Sequence, residues 1–264
     1  MNKKYLGLLS LGLVSVALAA TTATLLPTAE GTYLQWTPKS GSTHYTMVDE
    51  TSCNGTTDYV ATTVTGNRDS YQVSLSSIPD GATITNIAVT PCASKNKSSG
   101  SSVMNVFYRL NGANSADQGS YSLTGTTPVA LATTNFSSLS IVKASSTALQ
   151  VGAVYTSGTG GARLSRVATV ITYTPTAPNA PSNLIANVFG TSTIVSLSWT
   201  DNSSNEQGFW VERGTDGVNF NFLATTTSAF YNNAPGSGTF YYCVKAYNEG
   251  GSSSFSNTAS TTLP

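Results

Sequence analysis

Short runs of alternating hydrophobic and polar positions fill most of this chain. In "DSYQVSLSSI", Tyr71, Val73 and Leu75 share one parity; "ATITNIAVTPC" repeats the pattern with Ile84, then Ile87 and Val89 after a shift. "LSRVATVITYTP" alternates Val167, Thr169, Ile171 and Tyr173, and "TALQVGAVYTSG" precedes it. Successive side chains of a strand point to opposite faces, so each run predicts a strand with one buried face. Asp80-Gly81, Asn111-Gly112 and Asp216-Gly217 mark tight turns between such runs. No stretch after the N-terminus keeps i, i+3, i+4, i+7 periodicity, so the predicted fold class is all-β.

The prolines divide the pattern. In "YTPTAPNAPSN", Pro175, Pro178 and Pro181 follow one another too closely to feed a sheet ladder, which predicts a stiff linker over 176–181. Before it, residues 30–175 hold about seven to nine short strands with regular turn signals, an N-terminal jelly-roll-like β-sandwich domain. After it, residues 182–264 form a second sandwich, with Leu197 and Trp199, Phe209 and Val211, and Tyr242, Val244 and Ala246 facing inward from three strands. Trp199, Phe209, Val211, Tyr242 and Val244 are the predicted structural core of that domain.

The chain opens differently. "MNKKYLGLLSLGLVSVALAATTAT" places Lys3 and Lys4 before an apolar run and ends in small residues. This predicts a signal peptide over 1–19, cut after Ala19, and hence a secreted or cell-surface protein. The alternative is an uncleaved anchor counted through Leu26, with membrane contact only through this N-terminal segment.

Two resemblances follow from particular residues. "HYTMVDETSCNGTTDYVATTVTGNRDSYQVSLSSIPDGATITNIAVT" resembles β-sandwich modules of phage virion and bacterial surface proteins, through its Val-Asp-Glu, Asp-Tyr-Val and Asp-x-Tyr elements. Residues 181–264 resemble a fibronectin type III domain of the bacterial extracellular type. "VSLSWTDNSSNEQGFWVERGTDGVNF" carries Leu-x-Trp, Asn-Glu, Gly-Phe-x-Val-Glu-Arg and Asp-Gly-x-x-Phe, and "YYCVKAYNEGGSSSFSNTAS" carries Tyr-x-Val-x-Ala-x-Asn and a late Ser-Asn. That resemblance implies a seven-strand, two-sheet sandwich centred on Trp199.

Composition narrows the partners. Charged residues are 9% of the chain, with 12 basic against 12 acidic, so there is no electrostatic footprint for nucleic acid. Hydrophobic residues at 39% are too many for a disordered Ser/Thr stalk.

Chemistry-bearing residues are sparse. His44 is the one histidine, no nucleophile motif accompanies it, and it reads as a solvated or strand-edge donor. Asp49-Glu50, Asp58 and Asp69 lie close in sequence, but Asp49 and Glu50 are adjacent on the backbone and point apart. Polar loop ends are the main reading; a calcium site built on Asp49 and Asp58 is an alternative, and no other cofactor is expected. Cys53 and Cys92 are a candidate disulfide in an exported chain. Cys243 faces outward by parity and reads as an unpaired strand thiol able to cross-link two copies. By the same parity Trp210, Tyr241 and Tyr247 face outward as a candidate binding face for proteins or glycans.

These readings describe a non-enzymatic adhesion or structural protein of the cell surface, its type III domain a spacer or interaction module. Two rivals stay open. One is a carbohydrate-binding accessory of extracellular polysaccharide degradation, for which Tyr33, Trp36 and Tyr45 are the early aromatic cluster. The other is a subunit of a self-associating filament or surface array, joined through strand edges.

Overall fold

A computed structural model describes residues 20–22, 24–53, 55–189 and 193–264. The predicted signal peptide lies outside the described residues. The chain forms two compact units, one ending at Pro175 and one beginning at Thr176. Strands of four or more residues are numbered here in chain order.

The first unit contains β1 (Pro27–Leu34), β2 (Arg68–Val73), β3 (Thr83–Lys95), β4 (Ser102–Leu110), β5 (Gln118–Ser122), β6 (Leu149–Gly158) and β7 (Ala162–Thr174). They make two antiparallel sheets. One runs β1-β2-β6-β4, with β5 also on β4. The other is built on β3 and β7, whose register runs from Ala162 opposite Lys95 to Thr174 opposite Thr83. The chain crosses between the sheets from β2 to β3, from β3 to β4 and from β6 to β7, and β6 and β7 each occupy the middle of one sheet. Inward residues of the two sheets share one core, including Tyr71, Val106, Val151 and Tyr155 from one and Ile84, Ile87, Leu164 and Ile171 from the other.

This unit has more strands than the sequence predicts. The difference lies in pieces of two or three residues at the rims, such as Val129–Ala130, Thr134–Phe136 and Ile141–Val142 along β3. A short rim strand offers little unpaired backbone for adventitious pairing. Cys53 and Cys92 are joined in a disulfide across 39 residues, with Cα atoms 5.6 Å apart. Ala20 and Thr21 pair with Tyr173 and Thr172, and Leu25 with Thr169. Ala20, Thr21 and Leu25 thus lie along the sheet beside β7.

The second unit contains β8 (Ser182–Val188), β9 (Val195–Thr200), β10 (Gly208–Gly214), β11 (Asn221–Thr226), β12 (Phe230–Asn233), β13 (Gly238–Asn248) and β14 (Ala259–Leu263). Its sheets are β8-β9-β12 and β11-β10-β13-β14, the seven-strand, two-sheet arrangement that the resemblance implies. Trp199, Phe209, Val211, Tyr242, Val244 and Ala246 are all in its core. Trp199 meets Phe209 edge to face at 5.4 Å.

The Ser-Asn pair before β14 has a definite task. Ser256 exchanges hydrogen bonds with the backbone of Val244. A bulge between Ser182 and Ile185 drops Leu184 from the β8–β9 ladder. The Asn257 side chain takes up both backbone groups of Leu184, accepting from its N–H and donating to its C=O at 2.9 Å each. One primary amide can serve both groups because it carries a donor and an acceptor side by side.

Candidate binding face

The outward face of the larger sheet of the second unit is set by register. Trp210 lies opposite Lys245, Glu212 opposite Cys243, Gly208 opposite Tyr247 and Gly214 opposite Tyr241. The bare Gly208 leaves room for the Tyr247 ring, which a Cβ there would meet at 3.3 Å. Trp210 and Tyr247 stack with centroids 5.1 Å apart at 27°. The Lys245 ammonium sits over the Trp210 ring at 5.0 Å and over the Phe255 ring at 4.5 Å, and its Nζ is 2.9 Å from Glu212 Oε1. Two aromatic faces and a carboxylate thus hold one cation, an arrangement favoured by the ring quadrupoles.

The structure brings Trp210 and Tyr247 together but not Tyr241. Tyr241 is at the far end of the strand pair, beside Gly217 of the Asp216-Gly217 turn. The Glu212–Lys245 ion pair interrupts the strip between them. Cys243 lies on the outward side of the sheet, where parity places it, yet only 2% of it is exposed. Burial, and then the Glu212 charge, pushes its thiol up to about 12, so it is a neutral, shielded group and not an accessible cross-linking thiol.

In the first unit the early aromatics separate. Trp36 is in the core, its indole N–H donating to the carbonyl of Asn67. Tyr45 packs against that core from a 3-10 turn, Tyr45–Met47. Tyr33 alone joins the outer face of the β1–β2–β6–β4 sheet, where the Arg109 guanidinium lies over its ring at 5.6 Å. Asp49 pairs with Arg166 at an isolated bridge, and the Asp58 carboxylate accepts from Thr57 Oγ1. No group of three or more His, Cys, Asp or Glu residues suited to a metal comes together among the described residues.

His44 is the clearest departure from the sequence reading. It is buried, with Nδ1 2.8 Å from Asp69 Oδ2, and Asp69 itself is fully enclosed. Tyr71 Oη–H donates to the same carboxylate oxygen at 2.8 Å and the Trp36 backbone N–H to the other at 3.3 Å. Burial raises the Asp69 carboxyl above the ordinary range, with His44 and Tyr71 opposing, and burial pushes the Tyr71 phenol well up. The signal was present in the sequence: Asp69 shares the parity of Tyr71 and Val73 and so faces inward. The network of His44, Tyr71 and the Trp36 backbone holds the Asp69 carboxyl inside the sandwich.

No family model matches the chain, and no curated protein matches it. Solved fibronectin type III structures are similar to about a third of it. A Fn3-like protein from Clostridium thermocellum is 26% identical, with 34% of this chain and 96% of that one covered and a TM-score of 0.31. The sixth fibronectin type III domain of a human fibronectin type III domain containing protein is 15% identical, covering 34% of this chain and 89% of its own, with a TM-score of 0.30. A pectate lyase from Pectobacterium carotovorum is 20% identical over 30% of this chain and 26% of its own, with a TM-score of 0.27; this chain spans about a quarter of that enzyme.

Proposed function

We propose that this is an exported, non-catalytic interaction protein of the cell surface, whose second unit engages a partner through the outward face bearing Trp210 and Tyr247. The observation that carries the reading is the stacked Trp210–Tyr247 pair, half-buried on a sheet face and backed by Lys245 and Phe255. Stacked rings held rigidly by a sheet give contact area at little cost in side-chain entropy, which is what an anchor for a protein or a sugar ring requires. Export is supported by the basic and apolar opening of the chain.

The test is a comparison of the wild-type chain with a Trp210→Ala/Tyr247→Ala double variant. Binding to intact cells and to a glycan array is expected to fall together in the variant. Binding unchanged on both would remove this face from the reading. N-terminal sequencing of the secreted chain, expected to begin at Ala20, checks export separately.

A further inference from the structure

Residues 176–181 have no place in either sheet of the second unit, yet they are fastened to it. Pro178 and Pro181 are buried and carry no N–H, so the segment cannot enter a ladder. Side chains meet its backbone groups instead. The Thr176 C=O accepts from Asn205 Nδ2 at 3.0 Å and from Asn248 Nδ2 at 2.9 Å. The Ala180 C=O accepts from Asn202 Nδ2 at 2.9 Å. Asn179 answers in the other direction: its Nδ2 donates to the Asn202 C=O at 3.0 Å, and its backbone N–H to Ser203 Oγ at 3.2 Å. The segment is thus clipped to the β9–β10 connection and to the end of β13. Asn248 braces these two anchors, since its Nδ2 also donates to the Asn205 C=O at 2.9 Å.

We infer that residues 176–181 form a strap that opens and closes as a unit of its own, with the asparagine amides as its catch. A strand is held by a backbone ladder and leaves only when its sheet does. This segment is held by side-chain bonds that lie exposed to water. Water competes for such bonds, so the strap belongs to the low-stability end of the unit and lets go while the core stays closed. Neither Ala177 nor Ala180 is part of that core. The residue type follows from the chemistry. Each contact to a strap carbonyl needs a donor, and an aspartate of the same shape has none. Closed, the strap makes Thr176 the first residue of the folded body. Open, it adds residues 176–181 to the free chain, about 19 Å of polyproline-like reach. The catch therefore sets the length of free chain ahead of the second unit. The inference stands apart from the reading of the Trp210 face and does not depend on it.

The experiment is NMR relaxation of backbone amides in the full chain, read at Ala177, Asn179 and Ala180, for wild type and for Asn202→Asp/Asn248→Asp. In wild type these amides are expected to be as rigid as β10 and β13, with order parameters of about 0.85. In the double variant they are expected to fall below about 0.6 while β10 and β13 keep theirs. Hydrogen exchange of the Asn179 N–H is expected to quicken by at least about tenfold in the variant. Should the double variant lose the cross-peaks of β13, Asn202→Ala replaces it. That change removes only the contacts to Ala180 and Ser182, and Ala180 is then the reporter. A wild-type strap that is already mobile overturns the inference. So does a folded variant whose strap stays as rigid as the strands.

Discussion

Trp199 and Phe209 show how far alternation reaches at the level of single residues. Both were legible because a core side chain is fixed by parity alone, and truncating either leaves a cavity the sheets cannot close. Trp199→Ala is expected to cost about 3–5 kcal/mol in urea unfolding of the second unit, and a near-native midpoint would contradict its place in the core. Cys243 shows where parity stops. Parity names a face but not what lies over it, and Cys243, opposite Glu212 on the outward side, is buried all the same. With its pKa near 12 in the fold and 9.0 unfolded, the thiol stays neutral at pH 8. The sign follows: the folded value is raised, so the stabilising contribution is complete below about 9 and is lost as pH rises towards 12. A maleimide reagent at pH 8 is expected to label Cys243 only after denaturation; rapid labelling of the native chain would show it to be accessible. His44 was misread for another reason. Its partner is 25 residues away, and only the inward parity of Asp69 hints at a buried carboxylate needing company. His44→Ala is expected to cost about 3–5 kcal/mol at neutral pH, and the His44→Ala/Asp69→Asn double variant to recover part of that loss, since the damage is an uncompensated buried charge. Equal losses in the single and double variants would refute that account.

The long strands were visible as elements and their rims were not. β3 and β7, thirteen residues each, announce themselves through shorter stretches of alternation such as Val167, Thr169, Ile171 and Tyr173. The two- and three-residue pieces along β3 carry too few residues to establish a period, so they exist only through their partner. Hairpin chemistry was easier to read. Asp216 accepts from the Asn219 side chain and from the backbone N–H groups of Asn219 and Val218, which together lower its carboxyl to about 2. Its folded value lies below the unfolded 3.8, so the contribution to the turn is present above that value and is lost as pH falls towards 2. A carboxyl titration followed by NMR is expected to find Asp216 ionised at pH 3; an ordinary midpoint would mean that the turn is not closed in solution. The Cys53–Cys92 bridge ties the segment before residue 60 to β3, and the double serine variant is expected to lower the stability of the first unit by about 3–4 kcal/mol on the chain-entropy view.

At the scale of the whole molecule, a proline-dense stretch and two all-β units were readable because backbone restriction and composition are properties of sequence itself. The aromatic strip was only half readable: register, which sequence does not state, joins Trp210 to Tyr247 and leaves Tyr241 beyond an ion pair. One joint in the second unit has a consequence when such a protein is held at both ends. The Asn257 amide fastens Leu184 of the first strand to the segment leading into the last. Tension drawn through Thr176 and Pro264 would load those two hydrogen bonds. The unit would show this as mechanical strength out of proportion to its equilibrium stability. Pulling single molecules of an Asn257→Ala variant is expected to show a lower unfolding force with only a small change in melting temperature.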